Sequence, residues 1–192
     1  MLRINAEQRT AQPWHNGGGR TRELLARPAG PDWTLRVSLA DIEADGPFSS
    51  FPGAQRWFAV VQGGGVLLRF AAVELQVRAG DAPICFDGAD APGCALIDGP
   101  TRDLNLMLRD GVGAMRLVRA GEPWNERFAE RGLFTACAGH LAIDPGDGDS
   151  RPATGLRVEA LTLLWNLGGL PCSFVPDRPG PCGWWLGHSG NA

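Results

Sequence analysis

The sequence predicts an all-β fold: many short antiparallel strands in a barrel or sandwich, with few short helices. Short apolar or alternating segments recur along the chain, and Gly, Pro or Asp separates them roughly every eight to twelve residues. The 192 residues include 27 Gly and 15 Pro, a content that argues against long helices.

The predicted elements follow in chain order. Strands are expected at 33–39, 57–62, 66–70, 73–78, 94–98, 103–109, 114–119, 133–137, 140–143, 156–164, 174–175 and 184–186. The glycines at 63–65 indicate a hairpin turn, 124–131 a short helix, and 145–152 a surface loop. A break at 120–123 divides two small β-modules, 1–119 and 120–192, between which a strand could be exchanged.

Composition excludes several classes of function. The net charge is −3, and no basic face is evident that would bind a nucleic-acid backbone. No apolar run reaches membrane length, and the N-terminus lacks a signal-peptide core, so we expect a cytoplasmic protein with no membrane or direct nucleic-acid partner. The five cysteines are scattered, without a CxxC pair, which fits reduced thiols and disfavours a zinc site. We expect no cofactor.

A glycine-rich segment at 13–23, PWHNGGGRTRE, is the most informative stretch of the chain. Glycine N–H groups and the neighbouring polar side chains can bind a carboxylate or an amide. The candidate ligand contacts here are Asn16, Gly18, Gly19, Thr21 and Arg22. The alternative is a glycine-rich surface loop with a charge pair.

Further candidates lie on predicted strands. Alternation places Arg36 and Ser38 on one face of their strand, and Asp103 and Asn105 on one face of theirs. Arg56 precedes an apolar run, and a buried arginine needs an anionic partner, which favours a barrel interior over a solvated face. We therefore expect Arg36 and Arg56 to hold a carboxylate, with Asp103 orienting an arginine.

Two segments resemble the cupin motifs. Residues 56–66, RWFAVVQGGGV, resemble the strand and hairpin of the first motif, and Arg56 stands where that motif has a metal-binding Glu. Residues 80–91 resemble the second motif in spacing, with Ala91 in place of its metal-binding His. The chain has no His-x-His pair. The resemblance therefore implies a cupin barrel without metal, which disfavours a metal dioxygenase.

More closely, the chain resembles the HutD/Ves family. The resemblance rests on 14–23, 35–40, 45–53, Arg56, 99–107 and 186–189. It implies a bicupin of two germin-like barrels and a regulatory role in histidine utilisation, through binding an intermediate such as formylglutamate or urocanate.

We therefore predict a metal-free bicupin that binds a small carboxylate metabolite in its N-terminal barrel. The alternative is a metal-free cupin enzyme, an isomerase or lyase acting on a related acid, with His15 or Glu23 as general base. A homodimer is also expected to be possible, because exposed sheet edges often pair.

Overall fold

The structure, a computed structural model, describes residues 1–144 and 155–190. Within these residues the strand pairs are antiparallel, and the helical segments are two 3-10 turns, Ala6–Gln8 and Gly88–Asp90. Neither turn, nor any other described helix, is long and apolar enough to cross a membrane. The prediction of an all-β antiparallel fold is confirmed.

The strands are β1 Leu2–Asn5, β2 Gln12–Pro13, β3 Gly19–Arg27, β4 Leu35–Ile42, β5 Gly46–Pro47, β6 Gln55–Gln62, β7 Val66–Arg69, β8 Glu74–Val77, β9 Ile84–Asp87, β10 Gly93–Leu96, β11 Thr101–Leu108, β12 Val112–Leu117, β13 Glu130–Thr135, β14 Gly139–Ile143, β15 Leu156–Val158, β16 Thr162–Trp165, β17 Cys172–Pro176 and β18 Gly183–Ser189.

The chain divides into two compact units. The N-terminal unit is Arg9–Asp110, and the C-terminal unit combines Met1–Gln8 with Gly111–Ala192. Strand β12, which falls within the predicted module 1–119, pairs with β18 along its whole length, and β1 pairs with β16. Backbone pairing thus places both segments in the C-terminal unit.

Two facing sheets form the N-terminal unit. One has six strands in the order β2-β3-β4-β11-β6-β9, and the other has four in the order β5-β10-β7-β8. Apolar side chains of both sheets pack together between them, among them Phe58 and Val60 of β6, Leu68 of β7 and Cys94 of β10. We call the side of the six-stranded sheet that contacts this cluster its interior face.

The C-terminal unit has a five-stranded sheet, β1-β16-β13-β18-β12, and a three-stranded sheet, β15-β14-β17. Its core contains Trp124, Leu133, Phe174 and Trp185. The Trp124 and Trp185 rings stack with centroids 5.1 Å apart. Large aromatic side chains therefore fill the space between these two sheets.

Local predictions differ from the structure at several points. The helix predicted at 124–131 is wrong: Trp124 forms an isolated bridge to Cys172, and β13 begins at Glu130. The segment 156–164 forms two strands, because Leu161 takes a positive φ of 53° between them. Strand β3, nine residues long, is not among the predicted strands. The predicted loop at 145–152 lies outside the described residues.

Candidate functional site

Strands β4, β11 and β6 lie side by side and carry most of the predicted strand candidates on one face. Ser38 is opposite Asn105, and Asn105 is opposite Phe58. Because side chains alternate along a strand, the polar set occupies the interior face with Phe58. Leucines 104 and 106 occupy the other face and are fully buried. The predicted alternation of these strands is therefore observed, and both of their faces are covered.

The centre of this interior face is Arg56, whose side chain is 8% exposed. Its Nε donates a hydrogen bond to Asn105 Oδ1 at 2.9 Å. Its guanidinium carbon lies 4.3 Å from the centroid of the Phe48 ring and 5.5 Å from that of Phe86. Burial, with a smaller effect of Arg36, lowers the pKa of Arg56 to about 10, and Asp103 opposes this shift. At neutral pH the group is therefore a buried cation.

Asp103 is the second buried ionisable residue on this face. It is 0% exposed, and its Oδ2 accepts a hydrogen bond from Thr101 Oγ1 at 3.1 Å. Its Oδ1 has no hydrogen-bond partner among the described residues. Burial raises the pKa of Asp103 to about 8, while Thr101 and Arg56 act in the opposite direction. Asn105, and not Asp103, makes the hydrogen bond that orients Arg56.

Arg36 lies on the same face, and Met107 of β11 is the register partner of both Arg36 and Arg56. Its Nε donates to Glu23 Oε2 at 3.0 Å, an ion pair in which the Arg36 side chain is 17% and the Glu23 side chain 43% exposed. Ser38 is buried, opposite Glu23 on β3. The carboxylate that Arg36 contacts is thus supplied by the protein itself. Of the two arginines on this face, Arg56 is the one that has no carboxylate partner among the described residues.

The glycine-rich segment forms a tight turn into β3. Gly17 adopts a φ of 70°, and Asn16 Oδ1 accepts from the Gly18 N–H at 3.0 Å. A Cβ on Gly19 would lie 2.3 Å from the Asp41 carbonyl oxygen and 3.0 Å from the Trp14 ring, so only glycine fits this approach. The Trp14 indole N–H donates to Thr21 Oγ1 at 2.8 Å. The turn therefore satisfies many of its own hydrogen bonds.

Arg22 points away from the interior. Its register partner on β4 is Leu39, and its guanidinium contacts Asp41 at 2.5 Å. Asp41 also accepts from Arg102 Nε at 2.6 Å, and these two arginines lower the pKa of its carboxyl against the effect of burial. Asp41 and Arg102, with Arg20 and Glu43, line a cleft of about 270 Å³ at the sheet end. The structure thus separates Arg22 from Arg56.

Neither alternative general base is enclosed with the Arg56 group. His15 is exposed in the turn, and Glu23 is exposed and paired with Arg36. The interior face instead includes residues that the sequence analysis did not select: Thr101 beside Asp103, and Phe48 and Phe86 around Arg56. Alternation with Asp103 would have found Thr101, whereas Phe48 comes from a separate segment.

The residues present do not fit the metal ion that cupins often hold. Arg56 occupies the position of the motif's Glu, and Ala91, which follows the Gly88–Asp90 turn, occupies that of its His. A cation at one ligand position and a methyl group at another cannot supply the imidazole and carboxylate that a divalent ion needs. Within 1–144 and 155–190 no group of three or more His, Cys, Asp or Glu side chains is arranged to hold a metal.

The C-terminal unit contains a second buried arginine, whose hydrogen-bond acceptors differ from those of Arg56. Arg131 is 1% exposed and lies 4.3 Å from the Trp124 ring centroid. Its terminal nitrogens donate to the carbonyl oxygens of Gly168, Leu170 and Trp124 at 2.5–3.0 Å. Backbone oxygens satisfy both terminal nitrogens of this cation, so it acts as a brace. No comparable set of acceptors surrounds Arg56 in the described chain.

Facing antiparallel sheets, the two cupin-like segments and the buried cation define a cupin-like protein with a cationic interior in its N-terminal unit. The HutD family model matches residues 6–159, and the chain belongs to the HutD family. The resemblance seen in the sequence is thereby confirmed.

Two curated relatives are similar to part of this chain. One is the Ves protein of Citrobacter koseri, 36% identical over 98 residues, which is 50% of this chain and 51% of the relative. An uncharacterised 21.2 kDa protein encoded in the hutC 3′ region of Pseudomonas putida is 36% identical over 107 residues, which is 54% of this chain and 56% of the relative. The chain thus aligns with about half the length of the curated relatives that it matches.

Two solved structures match nearly the whole chain. HutD from Pseudomonas fluorescens SBW25, determined in a formate condition, is 27% identical with a TM-score of 0.78, covering 98% of this chain and 99% of that one. A conserved protein of unknown function from Pseudomonas aeruginosa PAO1 is 26% identical with a TM-score of 0.81, covering 98% of each chain.

Proposed function

We propose that this protein binds a small carboxylate metabolite between the two sheets of its N-terminal unit, without a metal ion, and that the bound state regulates histidine utilisation. The observation that carries the proposal is the buried Arg56 guanidinium. It has a single hydrogen bond, to a neutral amide, within the described residues. A buried cation without an anionic hydrogen-bond partner is costly, and a bound carboxylate would offset that cost.

The surroundings of Arg56 suit such a ligand. Nε is occupied by Asn105, so the two terminal nitrogens remain to donate to the two oxygens of a carboxylate in the fork geometry that guanidinium groups favour. Phe48 and Phe86 supply apolar walls, which keep the dielectric low and strengthen the ion pair. The Asp103 Oδ1 atom provides a second polar contact for the bound group.

The link to histidine utilisation comes from the relatives. The P. putida relative is named for its position beside hutC, and the family carries the HutD name. Formylglutamate and urocanate, both acids of histidine breakdown, are therefore the first ligands to test. The five cysteines are free thiols, which agrees with the cytoplasmic location that we propose.

A thermal-shift screen of the metal-stripped protein tests this function. The panel contains histidine, urocanate, formiminoglutamate, formylglutamate, glutamate and formate, each beside the amide or ester in which its carboxylates are blocked as the matched control. A ligand at a hundredfold excess over its Kd adds about 2.7 kcal/mol of stability. We expect a rise with at least one acid and none with its blocked control. A rise that is equal for acid and control, or absent for every acid, would contradict the proposal.

A further inference from the structure

The interior carboxyl of Asp103 is placed unusually for an ionised group. The side chain is 0% exposed, and the Thr101 hydroxyl is its only hydrogen-bond donor within residues 1–144 and 155–190. Its second oxygen, Oδ1, is buried without a partner. Ionised carboxylates in protein interiors accept several hydrogen bonds or pair directly with a cation, because burying the bare charge is very costly.

The charged groups around Asp103 do not supply that compensation. Arg56 on β6 acts on it only through space, because Asn105 receives the Arg56 Nε–H. Arg36 on β4 is paired with Glu23 of β3. Asp41, whose side chain is bound to arginines of the other face, disfavours a second negative charge. Cys94 on β10 is a neutral thiol, since burial raises its pKa to about 12.

We propose that Asp103 holds a proton in the free protein and donates it as a hydrogen bond to the carboxylate bound at Arg56, so that anion and proton occupy the interior together. This inference rests on the proposed function and adds the proton to it. A protonated carboxyl has one O–H donor, and the unpartnered oxygen can direct that donor to a ligand.

The net charge of the interior depends on whether Asp103 is protonated, and it determines which ligand can bind. Arg36 and Glu23 cancel, which leaves the single positive charge of Arg56. With Asp103 neutral, one anionic group restores neutrality to the interior. With Asp103 ionised, the interior is already neutral, and an entering carboxylate would face a like charge. The site therefore selects a ligand whose buried end is one singly charged carboxylate, and it disfavours a ligand that brings two negative charges into the interior.

Ligand affinity is expected to fall at alkaline pH. Burial raises the pKa of Asp103 to about 8, so the acid form is the main one at neutral pH. Above that pH each binding event must take up a proton, and affinity falls about tenfold for each pH unit. Arg56, with a pKa of about 10, and Cys94, with a pKa of about 12, keep their neutral-pH charge up to about pH 9.

Calorimetric titration with the carboxylate selected by the screen, from about pH 6 to about pH 9, tests the proton. We expect wild-type affinity to be constant below about pH 8 and then to fall about tenfold per pH unit. Asp103→Asn, whose amide N–H replaces the acid O–H, should bind with an affinity that does not change over the same range. An unchanged wild-type affinity across the range, or the same slope in Asp103→Asn, would overturn the proposal.

Infrared spectroscopy of the ligand-free protein separates this inference from the proposed function. A carbonyl band of a protonated carboxyl at about pH 6.5, which disappears in a wild-type titration through pH 8 to 9.5, supports the acid form of Asp103 even if no carboxylate binds. Absence of that band, with carboxylate binding intact, would overturn the inference and leave the proposed function standing. If Asp103→Asn fails to fold, the wild-type titration alone decides.

Discussion

Replacing Arg56 with methionine removes the charge and keeps an apolar side chain against Phe48 and Phe86. A carboxylate that loses a buried, hydrogen-bonded charge partner loses about 2–4 kcal/mol of binding free energy. This corresponds to a rise in Kd of about 30- to 1,000-fold. The matched control is Arg102→Met, because Arg102 lies on the neighbouring strand and points to the other face, where it contacts Asp41 at 2.6 Å.

The same variant should fold, because three effects on stability nearly cancel. Burial lowers the pKa of Arg56 from its usual 12.5 to about 10, which corresponds to roughly 3 kcal/mol against the charged form. Removing the charge relieves that cost. It also removes the hydrogen bond to Asn105, worth about 1.5–3 kcal/mol, and ring contacts worth about 1–2 kcal/mol. We expect the unfolding free energy to stay within about 2 kcal/mol of wild type.

Isothermal titration calorimetry of wild type, Arg56→Met and Arg102→Met, with far-UV circular dichroism to verify the fold, measures both quantities. Binding lost in Arg56→Met and kept in Arg102→Met is the expected result. A Kd for folded Arg56→Met within about threefold of wild type would refute the assignment of Arg56 as the anion contact.

Three further predictions concern stability, each measured by urea unfolding. Because the folded pKa of Asp103 is raised to about 8, its contribution is fully present below about pH 4 and is lost as pH rises to 8; Asp103→Asn should therefore lose less stability than wild type over that range. Gly19→Ala, whose Cβ would lie 2.3 Å from a carbonyl oxygen, should cost more than about 2 kcal/mol, whereas Gly169→Ala, with open space around it, should change stability by less than about 0.5 kcal/mol. Arg131→Met leaves three backbone carbonyls without their donor and should cost about 3–5 kcal/mol; a loss below about 1 kcal/mol would show that Arg131 is not a brace.

Alternation and turn residues were enough to predict the central strands. Polar and apolar residues alternate over 35–39 of β4 and 103–106 of β11, and β6 is an apolar run after Arg56. Backbone pairing then brings Ser38, Arg56 and Asn105 together on one face. Strand β3 was missed because its sequence, GRTRELLAR, is dense in charge and begins with a glycine. Arg22 of this strand pairs with Asp41 of β4, which also binds Arg102 of β11, and local sequence does not encode such long-range contacts.

The site was predicted in part. The sequence indicated that Arg56 is buried, and the structure shows it buried beside Asn105. It could not indicate that Arg36 is paired with Glu23, since that ion pair depends on how β3 pairs with β4, and β3 was not predicted. Nor could it show that one oxygen of Asp103 lacks a partner, because this depends on which side chains four different strands bring to it.

A crystal structure of the complex with the tightest-binding acid of the panel tests the central claim most directly. The account predicts ligand carboxylate oxygens about 3 Å from the terminal nitrogens of Arg56, with one of them also in contact with Asp103 Oδ1. A carboxylate found instead in the cleft lined by Arg20 and Arg102, with the Arg56 interior free of ligand, would contradict it.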